Sequence, residues 1–404
     1  MTKTLMPLHQ FEHRHRVIFL FTFLASLLFL NSCSIQGVFV NDKLATSHVE
    51  NVDKDDIVQS VFLIGDAGKP SLEKKEPVLA ALEREASKYR ERGVIVFLGD
   101  NVYPKGMPKE SHDERPFMER RLNELVSVVE QSGATGIFIP GNHDWGEWSD
   151  DGLESVKRQN EFLEAKKNTR IRMSPQGGTP GPDIIDIGAH VRLVVLDTEW
   201  WLHGNPKPLY PNTHDENETK KAITDSLEKV LKSAGNRYVI VVGHHPLESH
   251  GTHSGFFDWR DHIFPLREIE SWLLIPLPVV GSMYPLIRNL GISNQDMSGS
   301  KYEEMKHAFE NVFSQHPPLV YAAGHEHTLE VLESDDEYLI LVSGYGTSKH
   351  DPSLTHADHT LFAHRHTGFM RIDILIDQRV RLGVIEPRSE GEKSEEVFSM
   401  WIRQ

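Results

Sequence analysis

Five short segments of the chain collect residue types that hold cations. They are Gly65-Asp66-Ala67-Gly68, Gly99-Asp100-Asn101-Val102-Tyr103, Gly141-Asn142-His143-Asp144, Val241-Val242-Gly243-His244 and Gly324-His325-Glu326-His327. Taken singly, each has a plain explanation: a Gly-Asp closes a turn, and an Asn-His pair caps or packs. Taken together they supply carboxylates, an amide oxygen, a phenol and imidazoles, which is the inventory of a two-cation site. Attack on a phosphate ester requires a nucleophile to approach an anion while charge on the equatorial oxygens is stabilised. Two cations roughly 3.5–4 Å apart, sharing a bridging carboxylate, activate water and clamp the phosphoryl group.

The elements that must position these segments can be read from the flanking residues. Apolar runs at 57–64, 94–98, 136–140, 191–196, 238–242 and 319–322 predict strands, most of them stopping at one of the polar segments. Helical periodicity at 77–89, 114–129, 219–232 and 302–313 predicts the crossovers between parallel strands. Polar residues at the ends of such strands lie where open α/β sheets place their ligands. After residue 328 the pattern changes to hairpin strands at 329–332, 338–342, 369–376 and 380–385, the last pair turning at Asp377-Gln378. A two-sheet sandwich with outer helices accommodates both halves.

The order DxG, GDxxY, GNH, VxxH, GHxH resembles the calcineurin-like metallophosphoesterases, and within them the purple acid phosphatases. Most of the superfamily has a histidine two residues after the first aspartate; here that position is Gly68, and Tyr103 follows the second aspartate instead. The resemblance implies an α/β fold, a four-layer metallophosphoesterase sandwich of two packed mixed β-sheets flanked by helices. It implies one metal ion on Asp66, Asp100, Tyr103 and His327, and a second on Asp100, Asn142, His244 and His325. Phenolate, carboxylate and imidazole form a hard anionic set suited to Fe(III), with Fe, Zn or Mn in the second site.

By the same resemblance, His143 contacts the phosphate and serves as general acid, and Asp144 fixes the His143 imidazole. His253, with His250 as the alternative, stands where relatives keep a second substrate-facing histidine. His245 is read as a packing residue. The implied activity is metal-dependent hydrolysis of small-molecule phosphate esters as an acid-phosphatase-like phosphomonoesterase; the alternative is a phosphodiesterase or a nucleotide- or lipid-phosphate hydrolase. A non-catalytic scaffold would tolerate loss of ligands, and none of the set is missing.

Trp145, Trp148, Trp200 and Trp201 follow strand-end loops, where they pack the loops or wall the substrate. His350, His356, His359, His364 and His366 are assigned no metal.

Formal net charge is −16 over 404 residues, and because the first 32 carry Lys3, Arg14 and Arg16 against Glu12, the remainder is more acidic still, at −18. Such a surface repels nucleic-acid phosphates and excludes a non-specific nucleic-acid partner. A basic stretch, the apolar run 17–30 and Leu30-Asn31-Ser32-Cys33 read as a lipoprotein signal peptide over 1–32, with acylation of Cys33. Cys33 is the one cysteine of the chain, which excludes an intramolecular disulfide. Acyl chains contributing about 0.8 kcal/mol per buried CH₂ anchor the protein to a membrane of the cell envelope. Ser34, which is not acidic, favours the outer membrane.

The expected organisation is a tether over 33–55, the catalytic domain over 56–388 with an apolar insertion at about 255–318, and a polar tail over 389–404. A monomer is expected. The insertion holds Trp272-Leu273-Leu274-Ile275 and Val279-Val280, too apolar for a free loop, while Pro276, Pro278, Pro285 and Arg288 argue against a membrane-spanning helix. It reads as a packed cap, or as a lid or membrane-dipping element that favours substrates with apolar groups.

Overall fold

The computed structural model describes residues 34–44, 49, 52–268, 272–347, 351–388 and 393–403. The signal run, Cys33 and His350 lie outside the described residues. Two mixed sheets form the architecture, as the sequence implies. One contains β2 (Ile57–Ile64), β3 (Gly93–Phe97), β4 (Thr135–Phe138) and β5 (Ile171–Met173) in parallel, extended by β13 (Phe369–Leu375), β14 (Val380–Pro387) and β15 (Ser394–Arg403). Its order is β15-β14-β13-β2-β3-β4-β5.

The second sheet is built from β1 (Phe39–Val40), β6 (Asp183–Ile187), β7 (Val191–Val195), β8 (Tyr238–Val242), β9 (Val320–Ala323), β10 (Leu329–Glu333), β11 (Leu339–Ser343) and β12 (Thr360–His364). Its order is β1-β12-β10-β11-β9-β8-β7-β6, with β7, β8, β9 and β11 mutually parallel.

Strand alternation builds the layers. Along β2 and β3, Val61, Leu63, Val94 and Val96 point into the space between the sheets, where they meet Leu193, Ile240, Val242 and Leu341 of the second sheet. Phe62, Ile64, Ile95 and Phe97 point the other way, under the helices. Full burial of each such side chain contributes about 1.5–3 kcal/mol. On this outer face α1 (Pro77–Ser87) and α2 (Arg115–Ser132) pack on each other. In α2 the residues Met118, Leu122, Leu125, Val126 and Val129 form the buried stripe. The helix stops at Gly133, whose φ of 75° lets its N–H reach back to the Val129 carbonyl.

Three further helices follow: α3 (Gly152–Glu164), α4 (Glu199–Leu202) and α5 (Glu216–Lys232). The short α6 (Trp259–Ile263) and α7 (Met283–Asn289) lie within the insertion, and α8 (Ser300–Phe313) packs against α4 and α5. Phe313 of α8 also reaches Tyr321 of β9.

Both chain ends differ from expectation. Within the expected tether, β1 pairs antiparallel with β12, and Ser34 is buried, exchanging hydrogen bonds with Leu354. The expected polar tail contains β15, ten residues antiparallel to β14. On this edge strand Glu396 pairs with Arg381 and reaches Arg371.

The insertion is only partly a packed cap. Pro285 is buried, whereas Trp272, Leu274, Val279, Val280, Leu290 and Ile292 are exposed, Val279 by 76%. No helix among the described residues is long and apolar enough to cross a membrane.

Candidate metal centre

The C-terminal ends of β2, β3, β4, β8 and β9 open onto one edge of the sandwich, and each delivers one of the five polar segments there. Three of the residues they deliver, Asp66, Asp100 and His325, have left-handed backbones, with φ of 56°, 56° and 66°. A non-glycine residue held there costs on the order of 1–3 kcal/mol, strain that collects at functional sites. Gly141 makes room for the turn: a Cβ on it would lie 2.3 Å from Asp100 Oδ1. At Gly68 a Cβ would lie 2.3 Å from the Asn101 carbonyl carbon. The backbone of the second loop therefore fills the place where a side chain two residues after Asp66 would start.

Two groups of donors result. In the first, Tyr103 Oη donates to Asp66 Oδ1 at 3.0 Å, and His327 Nε2 lies 3.5 Å from Tyr103 Oη and 3.4 Å from Asp66 Oδ1. In the second, Asn142 Oδ1 lies 3.0 Å from His244 Nε2 and 3.2 Å from His325 Nδ1. Asp100 stands between them. Its Oδ1 is 3.5 Å from His244 Nε2 and accepts from the His143 N–H at 2.9 Å. Asp66, Asp100 and His244 bring one donor atom each within 4.8 Å of one another, the spacing of a shared cation site.

Backbone carbonyls set the tautomers. His244 Nδ1 lies 2.8 Å from the Leu98 carbonyl and His325 Nε2 lies 2.8 Å from the Gln295 carbonyl. A carbonyl only accepts, so the proton sits on that nitrogen and the opposite lone pair faces Asn142 and Asp100. Metal-ligating histidines are commonly fixed in this way.

The electrostatics fit a site built for positive charge. Burial works to raise the Asp100 carboxyl, yet the His244 and His143 imidazoles hold it below its ordinary value. The Tyr103 phenol is pushed well above its ordinary value by burial, and the Asp100 and Asp66 carboxylates add to it. A phenolate beside two carboxylates therefore calls for a strongly polarising cation. His325 is pushed far down by burial and by the neighbouring His253, His245 and His244, so its imidazole is neutral and free to donate a lone pair.

His143 sits at the rim, 19% exposed, with Nε2 3.8 Å from Asp100 Oδ2. Asp144 does not touch its imidazole, contrary to expectation; His143 Nδ1 lies 2.6 Å from the Pro104 carbonyl instead. The Asp144 carboxylate accepts from the N–H groups of Asn101, Val102 and Gly141 and from the Asn101 amide, tying the second and third segments together. Four donors from two loops surround it, which leaves the ring no access. Burial and the Asp100 charge push its carboxyl up to about 7.

Of the two alternatives for the second substrate-facing histidine, His253 lies beside His325 with ring centroids 4.0 Å apart, its Nδ1 near Asp296 Oδ1 and Arg288 Nη2. His250 faces Glu330 instead. His245 does more than pack: it bonds Thr198 Oγ1 and Gln295 Oε1, each at 2.8 Å. Trp145, Trp200 and Trp201 are buried in loop packing and Trp148 is exposed. His356 stacks on Phe39, and His364 and His366 pair with Glu386. Sequence reading missed Gln295, Asp296 and the carbonyls of Leu98 and Pro104. The one available signal was a polar Gln-Asp pair closing an apolar stretch.

Three solved structures are among those similar to this chain. GAP50, described as the anchor in the inner membrane complex of Plasmodium, is 15% identical over 85% of this chain and 88% of its own, with a TM-score of 0.50. The purple acid phosphatase PPD1 from seeds of yellow lupin, Lupinus luteus, is 13% identical with a TM-score of 0.53, over 85% of this chain and 53% of its own. A dimetal phosphatase from Danio rerio is 15% identical over 86% and 99%, with a TM-score of 0.45. A comparison with curated protein sequences finds no match. The Calcineurin-like phosphoesterase family matches residues 60–329, which contain all five segments, and the chain belongs to that family.

Proposed function

We propose that the chain is a phosphomonoesterase of the purple acid phosphatase type. The observation that carries this reading is the position of Asp100, between the Asp66–Tyr103–His327 group and the Asn142–His244–His325 group, touching the second and sharing a cation-sized space with the first. Asp66, Asp100, Tyr103 and His327 hold Fe(III), and Asp100, Asn142, His244 and His325 hold Fe, Zn or Mn. Bound there, the two ions supply positive charge for the phosphoryl oxygens and make a water acidic enough to attack.

The chain's own residues do the rest. His143 commits its Nδ1 proton to the Pro104 carbonyl, so the proton it gives to the leaving alkoxide sits on Nε2, on the pocket side. His253 orients the ester from the far side, steadied by Asp296 and Arg288. Diesterase action on the same centre is the second reading, kept because the exposed apolar stretch at 272–292 suits lipid-bearing phosphates. Acylation at Cys33 holds the enzyme on the outer membrane.

A panel of phosphate monoesters and diesters, run on metal-loaded and chelated protein, tests the assignment. Monoesters turn over, and chelation removes the activity. His143→Ala slows alkyl phosphates by about 10²–10⁴-fold and activated aryl phosphates less. Equal losses on both classes remove His143 from the acid role, and turnover of diesters alone replaces the first reading by the second.

A further inference from the structure

We propose that Glu248, His250 and His359 form an additional cation site, distinct from the centre above and suited to zinc. The three side chains come from the loop after β8 and from the residue preceding β12. Each offers one donor atom, and the three atoms lie within 4.8 Å of one another. Glu248 Oε1 is 2.6 Å from His359 Nε2 and 3.8 Å from His250 Nε2. A tetrahedral zinc ion with bonds of about 2.0–2.2 Å spaces its ligand atoms roughly 3.3–3.5 Å apart. The two observed separations, 2.6 and 3.8 Å, straddle that spacing, so side-chain shifts of under about 1 Å make the site.

The support around His250 is what separates this cluster from a chance meeting of polar groups. Glu330 is fully buried, and its Oε2 accepts from both the His250 N–H at 2.9 Å and His250 Nδ1 at 3.2 Å. Its Oε1 accepts from Thr328 Oγ1 at 2.7 Å. A carboxylate buried to hold one face of an imidazole, leaving Nε2 pointed at a second imidazole and a second carboxylate, is the carboxylate–histidine–metal arrangement. His359 is fixed at its backbone, its carbonyl accepting from the Glu333 N–H at 3.0 Å. Glu248 and His359 are partly exposed, which leaves an ion a path in and a fourth position for water. Two imidazoles with a single carboxylate favour zinc over magnesium or calcium, which prefer oxygen donors.

The site also bears on the main centre. The next residues of the same loop grip Glu326, which lies between His325 and His327. Ser249 Oγ donates to Glu326 Oε2 at 3.2 Å, and the His253 N–H donates to the same oxygen at 2.8 Å. An ion clamping residues 248–250 to the start of β12 thereby fixes the loop that carries His253.

The test is zinc stoichiometry of the chelator-stripped full chain, measured by equilibrium dialysis and elemental analysis, in wild type, Glu248→Gln and His359→Gln. Each variant binds one equivalent fewer than wild type and keeps the remainder; equal stoichiometry in all three overturns the proposal. A second measurement is independent of these variants and of the phosphoesterase reading. Asp100→Ala combined with Tyr103→Phe and His325→Ala removes ligands of both ions of the main centre, and that chain titrated with Co(II) develops a tetrahedral visible band saturating at one equivalent and displaced by zinc. A titration without that band overturns the site while leaving the main centre untouched.

Discussion

The strand-end centre and the apolar stretch at 272–292 are neighbours built on opposite terms. In the centre, strained aspartates and buried imidazoles are held by hydrogen bonds at almost every polar atom. In the stretch, Trp272, Leu274, Val279 and Val280 lie in solvent with little packed over them. Yet the two meet, because the segment that follows the exposed residues turns inward. Gln295 and Asp296 are buried, and Gln295 presents its carbonyl to His325 and its side chain to His245 and Glu199. A segment that looks like an addition to the fold thus fixes the tautomer of His325, a candidate ligand. The centre is braced in part by a segment whose preceding residues are exposed.

The largest effect is expected from Gln295→Ala. The backbone carbonyl remains, but its anchors to His245 and Glu199 go, and metal affinity or activity falls by about 10–100-fold, the usual effect of losing such support; isothermal titration with zinc reads it. An unchanged affinity would separate the insertion from the centre. Next comes Gly68→His, which restores the residue type common in the wider superfamily. Its Cβ meets the Asn101 backbone, so the substitution destabilises the fold by about 1–3 kcal/mol in urea denaturation and adds no ligand.

The smallest effect on stability belongs to Val279→Ser with Val280→Ser, within about 0.5 kcal/mol of wild type because neither side chain is packed. The same pair sharpens the comparison functionally: hydrolysis of lipid-bearing phosphates falls relative to short ones. An unchanged ratio would end the lid reading of the stretch.

The gathering of the five polar segments was legible because their residues are conspicuous by type and because strand runs stop directly before them. The hairpin at β10 and β11 was legible too. Hidden from the sequence was the division of labour after residue 328, with β10, β11 and β12 joining one sheet and β13, β14 and β15 the other. Short edge strands such as β1, β5 and β6 carry little periodicity of their own and depend on partners already in place. Asp144 was misread because the backbone N–H groups that claim its carboxylate have no signature by residue type. The carbonyls of Leu98, Pro104 and Gln295 were invisible for the same reason, since every residue carries one. The polar tail hid an edge strand because the partners that seat it, β14 and the Arg371 and Arg381 side chains that meet Glu396, come from earlier in the chain.

The claim on which the account rests is that Tyr103 binds iron as a phenolate, in place of the imidazole for which Gly68 leaves no room. The visible spectrum of the iron-loaded protein, recorded for wild type and for Tyr103→Phe, tests it directly. Wild type is expected to show a phenolate-to-iron absorption band that is absent from Tyr103→Phe. Identical spectra from the two proteins would contradict it.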